Sequence, residues 1–148
     1  MAAEHSTAAV AYLRVATGSA RKREQSICIQ RQAIARYATI HSLRIARWFA
    51  DHDCIADIDN RQGLHDAMQF VASGKANVLM VADVSRITRS HTDLLRFIDR
   101  HRILDGDVVM IAVRDKLDTR TPEGRAMLGL LHTFAGLDGA DSQGQTGA

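Results

Sequence analysis

Unbroken apolar runs alternate along this chain with stretches whose apolar residues recur at helical spacing. Ala8-Ala9-Val10-Ala11-Tyr12-Leu13-Arg14-Val15 is a β-compatible run ending at a loop around Gly18, which predicts a buried first strand. Ser26 precedes a helical stretch through about His41, with Ile27, Ile34, Tyr37 and Ala38 on one face. Ile45–Ala50 reads as a second strand, the aspartate-rich Asp51–Asn60 as a loop, and a short helix carrying Ala67, Met68, Phe70 and Val71 stops at Ser73-Gly74. Val78–Val81 is a third, central strand; Leu94, Leu95, Phe97, Ile98 and Ile103 recur at helical spacing; Val108–Val113 is a fourth strand. Thr121 is the expected N-cap and Pro122 the first residue of a last helix carried by Met127, Leu128, Leu130, Leu131 and Phe134. Strands with continuous apolar runs, alternating with helices, predict an α/β domain whose mostly parallel sheet is covered on both faces.

The 148 residues suit one domain over 8–138, after a flexible N-terminus at 1–7. The tail 139–148, rich in Gly, Ser and Gln, has too little apolar surface to offset its ordering entropy and is expected to be disordered. No apolar run reaches membrane-spanning length and no secretory signal opens the chain, so a cytoplasmic protein with no membrane partner is expected. Cys28 and Cys54 lack the spacing of a zinc or redox motif and read as free thiols. His52-Asp53-Cys54 holds metal-ligand types, but three adjacent residues do not converge on one ion without an unusual loop, so no metal is expected. Trp48, in a strand, reads as core. Net charge is only +2, yet residues 1–47 carry eight Arg or Lys against Glu4 and Glu24, before five aspartates between 51 and 66 reverse the sign. One region is therefore expected to present a positive field to phosphates, although any single arginine of the first helix, Arg31 or Arg36 for example, is better read as solvated surface.

Four short runs carry the candidate chemistry. Tyr12-Leu13-Arg14-Val15-Ala16-Thr17 closes the first strand, Arg61-Gln62-Gly63-Leu64 precedes the second helix, and Val84-Ser85-Arg86-Ile87-Thr88-Arg89 follows the third strand. Asp118-Thr119-Arg120-Thr121-Pro122-Glu123-Gly124-Arg125-Ala126-Met127-Leu128 leads into the last helix. In this order and spacing they resemble the catalytic domain of serine recombinases of the resolvase/invertase type, from about Ala9 to about Leu137. The resemblance implies a central sheet ringed by helices, a long C-terminal helix used for dimerisation, and DNA as substrate. It also implies a reaction without metal or nucleotide cofactor, in which a serine hydroxyl attacks the scissile phosphate to leave a 5′-phosphoserine link and a free 3′-hydroxyl. Charge on the phosphate oxygens must then be met by guanidinium groups, which are always charged and bidentate. By resemblance Arg14, Arg61, Arg86 and Arg89 are the phosphate-binding set, with Gln30 on the first helix as a polar companion and Asp51 as an acidic residue after the second strand. Arg86 and Arg89 stand three apart, so one helical turn would aim both toward the C-terminal edge of the sheet.

The departures from the family fall on the reaction itself. Ala16 stands at the nucleophile, Ser85 where the family has an aspartate, Ala20 where it has a glutamine, and Asp138-Gly139 where it has a Glu-Arg pair. Thr17 should face away from the arginines by strand parity. Ser19 is the candidate substitute hydroxyl and Ser85 a second. The preferred expectation is a catalytically defective domain, a pseudoenzyme that binds DNA backbone weakly, or a partner protein, and acts on recombination or transcription. The alternatives are an active recombinase using a displaced hydroxyl or a catalytically complete partner, and an interaction domain with no DNA role. A homodimer through 121–137 is expected to be weak, because Gly136 and Gly139 each cost roughly 1 kcal/mol of helix stability.

Overall fold

The structure, a computed structural model, describes residues 7–15, 18–52 and 58–145, with 134–145 as backbone alone. Its elements are β1 (Thr7–Val15), α1 (Ala20–Ile40), β2 (Leu43–His52), α2 (Gln62–Ala72), β3 (Val78–Val81), α3 (His91–Arg100), β4 (Val109–Ala112), β5 (Leu117–Asp118) and α4 (Pro122–Gln145). Single 3₁₀ turns lie at Ile58–Asn60 and Val84–Arg86. The sheet order is β2-β1-β3-β4-β5; β1 to β4 run parallel and β5 returns antiparallel to β4. This is the expected α/β fold, with a mostly parallel sheet.

Strand periodicity divides the core in two. Val10 and Tyr12 of β1, Leu79 and Val81 of β3, and Met110 and Ala112 of β4 face one side, where Leu64, Met68, Phe97, Ile98 and Leu128 of α2, α3 and α4 meet them. Ala9, Ala11 and Leu13, Val78 and Met80, and Ile111 face the other, against Ile34 and Ala38 of α1. Successive side chains of one strand therefore serve opposite layers, and a strand buried on both sides has no polar face to show. β2 is one of the two edge strands, and its exposed Arg44 and Arg47 blunt that edge. Trp48, expected as core, is half-buried beside the α1 layer, and the Arg31 guanidinium lies 4.7 Å from its ring centre.

Several boundaries differ from the sequence reading: β2 runs from Leu43 to His52 and so takes in Asp51, read as loop, and three further differences have local reasons. α1 starts at Ala20 instead of after Ser26, capped by Ser19, whose Oγ accepts from Lys22 N at 3.2 Å. Its first turn, Ala20-Arg21-Lys22-Arg23, is polar and carries no apolar period to signal a helix. β5 has only two residues, too short for a pattern, although both are buried. The α4 backbone continues through Gln145, into the stretch 139–148 expected to be a disordered tail; its glycines lower helix propensity but keep the backbone donor that proline would remove. Thr121 caps α4 as expected, its Oγ1 accepting from Gly124 N at 2.9 Å. Among the described residues no helix is long and apolar enough to cross a membrane.

Candidate functional site

With β1 between β2 and β3, the direction of strand succession reverses at β1, and open parallel sheets offer a crevice at the C-terminal ends of the strands flanking such a reversal. Arg14 is the penultimate residue of β1, and the turn Val84–Arg86 leaves β3 beside it. Arg14 donates from Nε to the Arg86 carbonyl at 3.1 Å and from Nη2 to the Ser85 carbonyl at 2.6 Å. Arg86 answers from Nη1 to the Arg14 carbonyl at 3.2 Å. Arg61, at the N-cap of α2 and only 3% exposed, donates from Nη1 to the carbonyls of Arg86, at 3.1 Å, and Ile87. Arg14 and Arg61 thus hold the backbone of the turn that carries Arg86, and Arg86 in return holds the end of β1, so three of the four expected arginines meet there.

Gln30 is fully buried and grips the end of β1: its Nε2 donates to the Arg14 carbonyl at 3.0 Å and its Oε1 accepts from Arg14 N at 3.3 Å. It completes the buried α1 ladder Gln30, Ile34, Ala38 as a polar member that orients Arg14. Asp51, at the end of β2, is likewise buried; it accepts from Gly63 N at 2.7 Å, Leu64 N at 3.0 Å and the Tyr12 hydroxyl at 2.7 Å. A carboxylate there satisfies the first donors of α2 that Arg61 leaves uncapped. Gly63 allows the approach, since a Cβ would run into the Ala50 carbonyl and stand 3.0 Å from Asp51 Cγ.

The site is electrostatically crowded. Burial lowers the Arg14 pKa, and the neighbouring charges of Arg61, Arg86 and Arg89 push it down further, against a smaller opposing pull from Tyr12. Arg89 is exposed, whereas Arg86 is drawn inward; Ile87 and Thr88 between them are buried. The one-turn spacing therefore leaves Arg89 as the outward charge and Arg86 as the inward one. Nε of both Arg61 and Arg86 is buried without a hydrogen-bond partner, although Arg86 Nε lies 3.4 Å from an Asp83 oxygen. A cluster of guanidinium groups with buried, unmatched donors is chemically disposed toward an anion.

Ala16, Thr17, Asp53 and Cys54 lie outside the described residues. Of the two candidate substitute hydroxyls, Ser19 caps α1, and Ser85 donates its hydroxyl to Asp83. Asp83 and Arg114 were not singled out from sequence; the Arg114 guanidinium lies 3.8 Å from Asp83. The available signal for Asp83 was an acidic residue placed directly after a buried apolar strand. A second polar network joins the foot of α4 to α1: Arg120 Nη2 pairs with Asp118 at 2.7 Å, and the Tyr37 hydroxyl donates to the same carboxylate at 3.1 Å. Among the described residues no three His, Cys, Asp or Glu side chains gather as a metal site would require. A groove of about 730 Å³ between α2 and α3, with Leu64, Met68, Phe97 and His101 in its lining, includes none of Arg14, Arg61, Arg86 or Arg89. Burial, followed by the charges of Arg100 and His65, pulls the His101 pKa down to about 4.

No protein of curated function matches the sequence. Among solved structures, the N-terminal catalytic domain of TP901-1 integrase is similar with a TM-score of 0.80 at 17% identity, covering 92% of this chain and 99% of that one. A resolvase family site-specific recombinase from Streptococcus pneumoniae is similar with a TM-score of 0.74 at 21% identity, covering 95% and 93%. The C-terminal catalytic domain of ISC1926 TnpA, an IS607-like serine recombinase, is similar with a TM-score of 0.56 at 23% identity, covering 72% and 66%. The sequence model described as "Resolvase, N terminal domain" matches residues 9–146. The match spans most of the chain and the fold agrees with it: the chain belongs to the resolvase N-terminal domain family.

Proposed function

We propose that this protein is a recombinase-type catalytic domain that binds the DNA backbone without cutting it. The observation that carries the reading is the meeting of Arg14, Arg61 and Arg86 at the C-terminal ends of β1 and β3, with the exposed Arg89 beside them and Arg14 driven below its ordinary pKa by burial and by its cationic neighbours. Such a field favours a phosphate diester, which brings negative charge to a cluster whose cations outnumber the one carboxylate, Asp83, paired with it. Ala16 at the position of the family nucleophile supplies the other half, because a methyl group has no lone pair with which to attack phosphorus. Arg89 is the outward contact and Arg86 the inner one; Arg61 and Gln30 position the turn and Arg14. Ser19 and Ser85 already serve a helix cap and Asp83, which supports the non-cleaving reading over a displaced nucleophile.

Affinity resting on phosphate contacts should be weak, with Kd on the order of 10⁻⁴ to 10⁻⁶ M at physiological salt, and should fall linearly with salt on logarithmic axes. The test is fluorescence anisotropy with a mixed-sequence duplex across a salt series, using the wild type, Arg89→Ala and Arg86→Ala/Arg89→Ala. Salt-sensitive binding that weakens in the first variant and is lost in the second is expected. Absence of binding at low salt overturns the DNA reading, and a protein–DNA adduct surviving denaturing electrophoresis overturns the non-cleaving part of it.

A further inference from the structure

Asp83 is the carboxylate that meets the arginine cluster, and its local geometry is unusual. It stands at the N-cap of the turn Val84–Arg86 with an extended backbone, where an aspartate ordinarily accepts a hydrogen bond from the turn's own amide, yet its side chain makes no capping bond. Asp115 serves the turn instead, its Oδ2 accepting from Val84 N at 2.7 Å. The Asp83 carboxylate is thereby released to the cations: Oδ2 lies 3.4 Å from Arg86 Nε and 3.8 Å from Arg114 Nη1, and Oδ1 accepts from the Ser85 hydroxyl. Its side chain is 16% exposed, against 22% for Arg86 and 46% for Arg114, so the carboxylate sits beneath two guanidinium groups that reach further into solvent. A carboxylate so placed supplies the charge and acceptor geometry that a phosphate oxygen would bring.

We propose that Asp83 is a built-in competitor for phosphate, holding Arg86 together with a fifth phosphate-binding residue, Arg114, until a backbone phosphate displaces it. The inference rests on the backbone-binding reading above. It adds that the free protein is partly self-neutralised, and that Arg114, outside the family-derived arginine set, belongs to the binding surface. Its physical basis is that an anion on the duplex must outcompete an anion already in place, so affinity is set by a difference between two similar pairings.

The experiment measures duplex affinity and its salt slope for the wild type, Asp83→Asn, Asp105→Asn and Arg114→Ala. Asparagine is isosteric and can still accept from Ser85. Asp105, in the loop after α3, removes the same unit of charge at a distance from the cluster, where it pairs with Arg102 at 3.9 Å. Expected is roughly five-fold tighter binding for Asp83→Asn than for Asp105→Asn at low salt, the size of one freed, partly exposed ion pair. The slope should also steepen by roughly 0.9, one additional phosphate contact. Arg114→Ala, at a half-exposed position, should weaken binding and flatten the slope, and it tests the proposal even if Asp83→Asn fails to fold. Asp83→Asn binding no better than Asp105→Asn, or Arg114→Ala binding like the wild type, overturns the inference while leaving the backbone-binding reading in place. No binding by any of the four proteins at low salt overturns both.

Discussion

Arg120 and Arg14 belong to two polar networks of the same sheet, and their guanidinium groups are shifted in opposite directions. The Arg120 pKa is raised, chiefly by its hydrogen bond to Asp118. The Asp118 carboxyl is pulled up by burial, but the hydrogen bonds and charge of Arg120 outweigh burial and hold it below its ordinary value. The Arg14 pKa is lowered by burial and by three other arginines. At the foot of α4, then, each charge has its counter-charge and the network is closed. At the ends of β1 and β3 the guanidinium groups of Arg14, Arg61 and Arg86 donate to backbone carbonyls, which leaves positive charge in surplus and Nε of Arg61 and Arg86 unmatched. A closed pair is a fastening of the fold, whereas a surplus is an opening for a ligand.

Breaking the closed network should cost stability, and the largest effect should come from Gly124→Ala. Its Cβ would collide with the Asp118 backbone carbonyl at the first turn of α4, so neither partner can yield by a side-chain rotation. A loss of about 3 kcal/mol by chemical denaturation is expected for such overpacking. Asp118→Ala should follow at about 2 kcal/mol, because it strips the counter-charge from Arg120 and the acceptor from Tyr37. If that variant were as stable as the wild type, the closed network would not be a fastening.

A smaller, pH-dependent loss should trace to His101. Its folded-state pKa, about 4, lies below the ordinary 6.5. Between these values the unfolded chain binds a proton that the folded chain refuses, so this contribution is intact above about pH 6.5 and is lost as pH falls toward about 4. Thermal midpoints over that window should decline more steeply for the wild type than for His101→Phe; parallel curves would contradict the assignment. Smallest in stability should be Arg89→Ala, within about 0.5 kcal/mol of the wild type because the side chain is exposed. Yet this variant should lose severalfold in duplex affinity. A large stability loss there would erase the contrast between the two networks.

The sheet was legible because strands buried on both faces print continuous apolar runs: Val78–Val81 coincides with β3, and the β1 run begins within one residue of the observed strand. Thr121 and Pro122 marked the start of α4 because a cap and a fixed φ are local chemistry. The early start of α1 was hidden by a polar first turn, and β5 by its two-residue length. At the site, the family resemblance pointed to the arginines, but not to how each is used. Burial of Gln30 and Arg61 depends on which helix covers which strand end, and that is a property of the assembled sheet. Asp83 escaped notice because its partners stand 3 and 31 positions away along the chain, and only the packing of β3 beside β4 brings Arg114 to it.

The hydrogen bonds from Arg14 and Arg61 to the carbonyls of Ser85, Arg86 and Ile87 bear on which positions of such a domain are free to drift. Replacing either arginine would strand carbonyls of the turn that follows β3, so selection for a folded chain alone would keep both, whatever the protein does with DNA. Their retention in a descendant therefore does not by itself distinguish a surface in use from an idle one. Arg89, exposed and dispensable to the fold, is the arginine whose survival or decay over generations would record whether the surface is still in use.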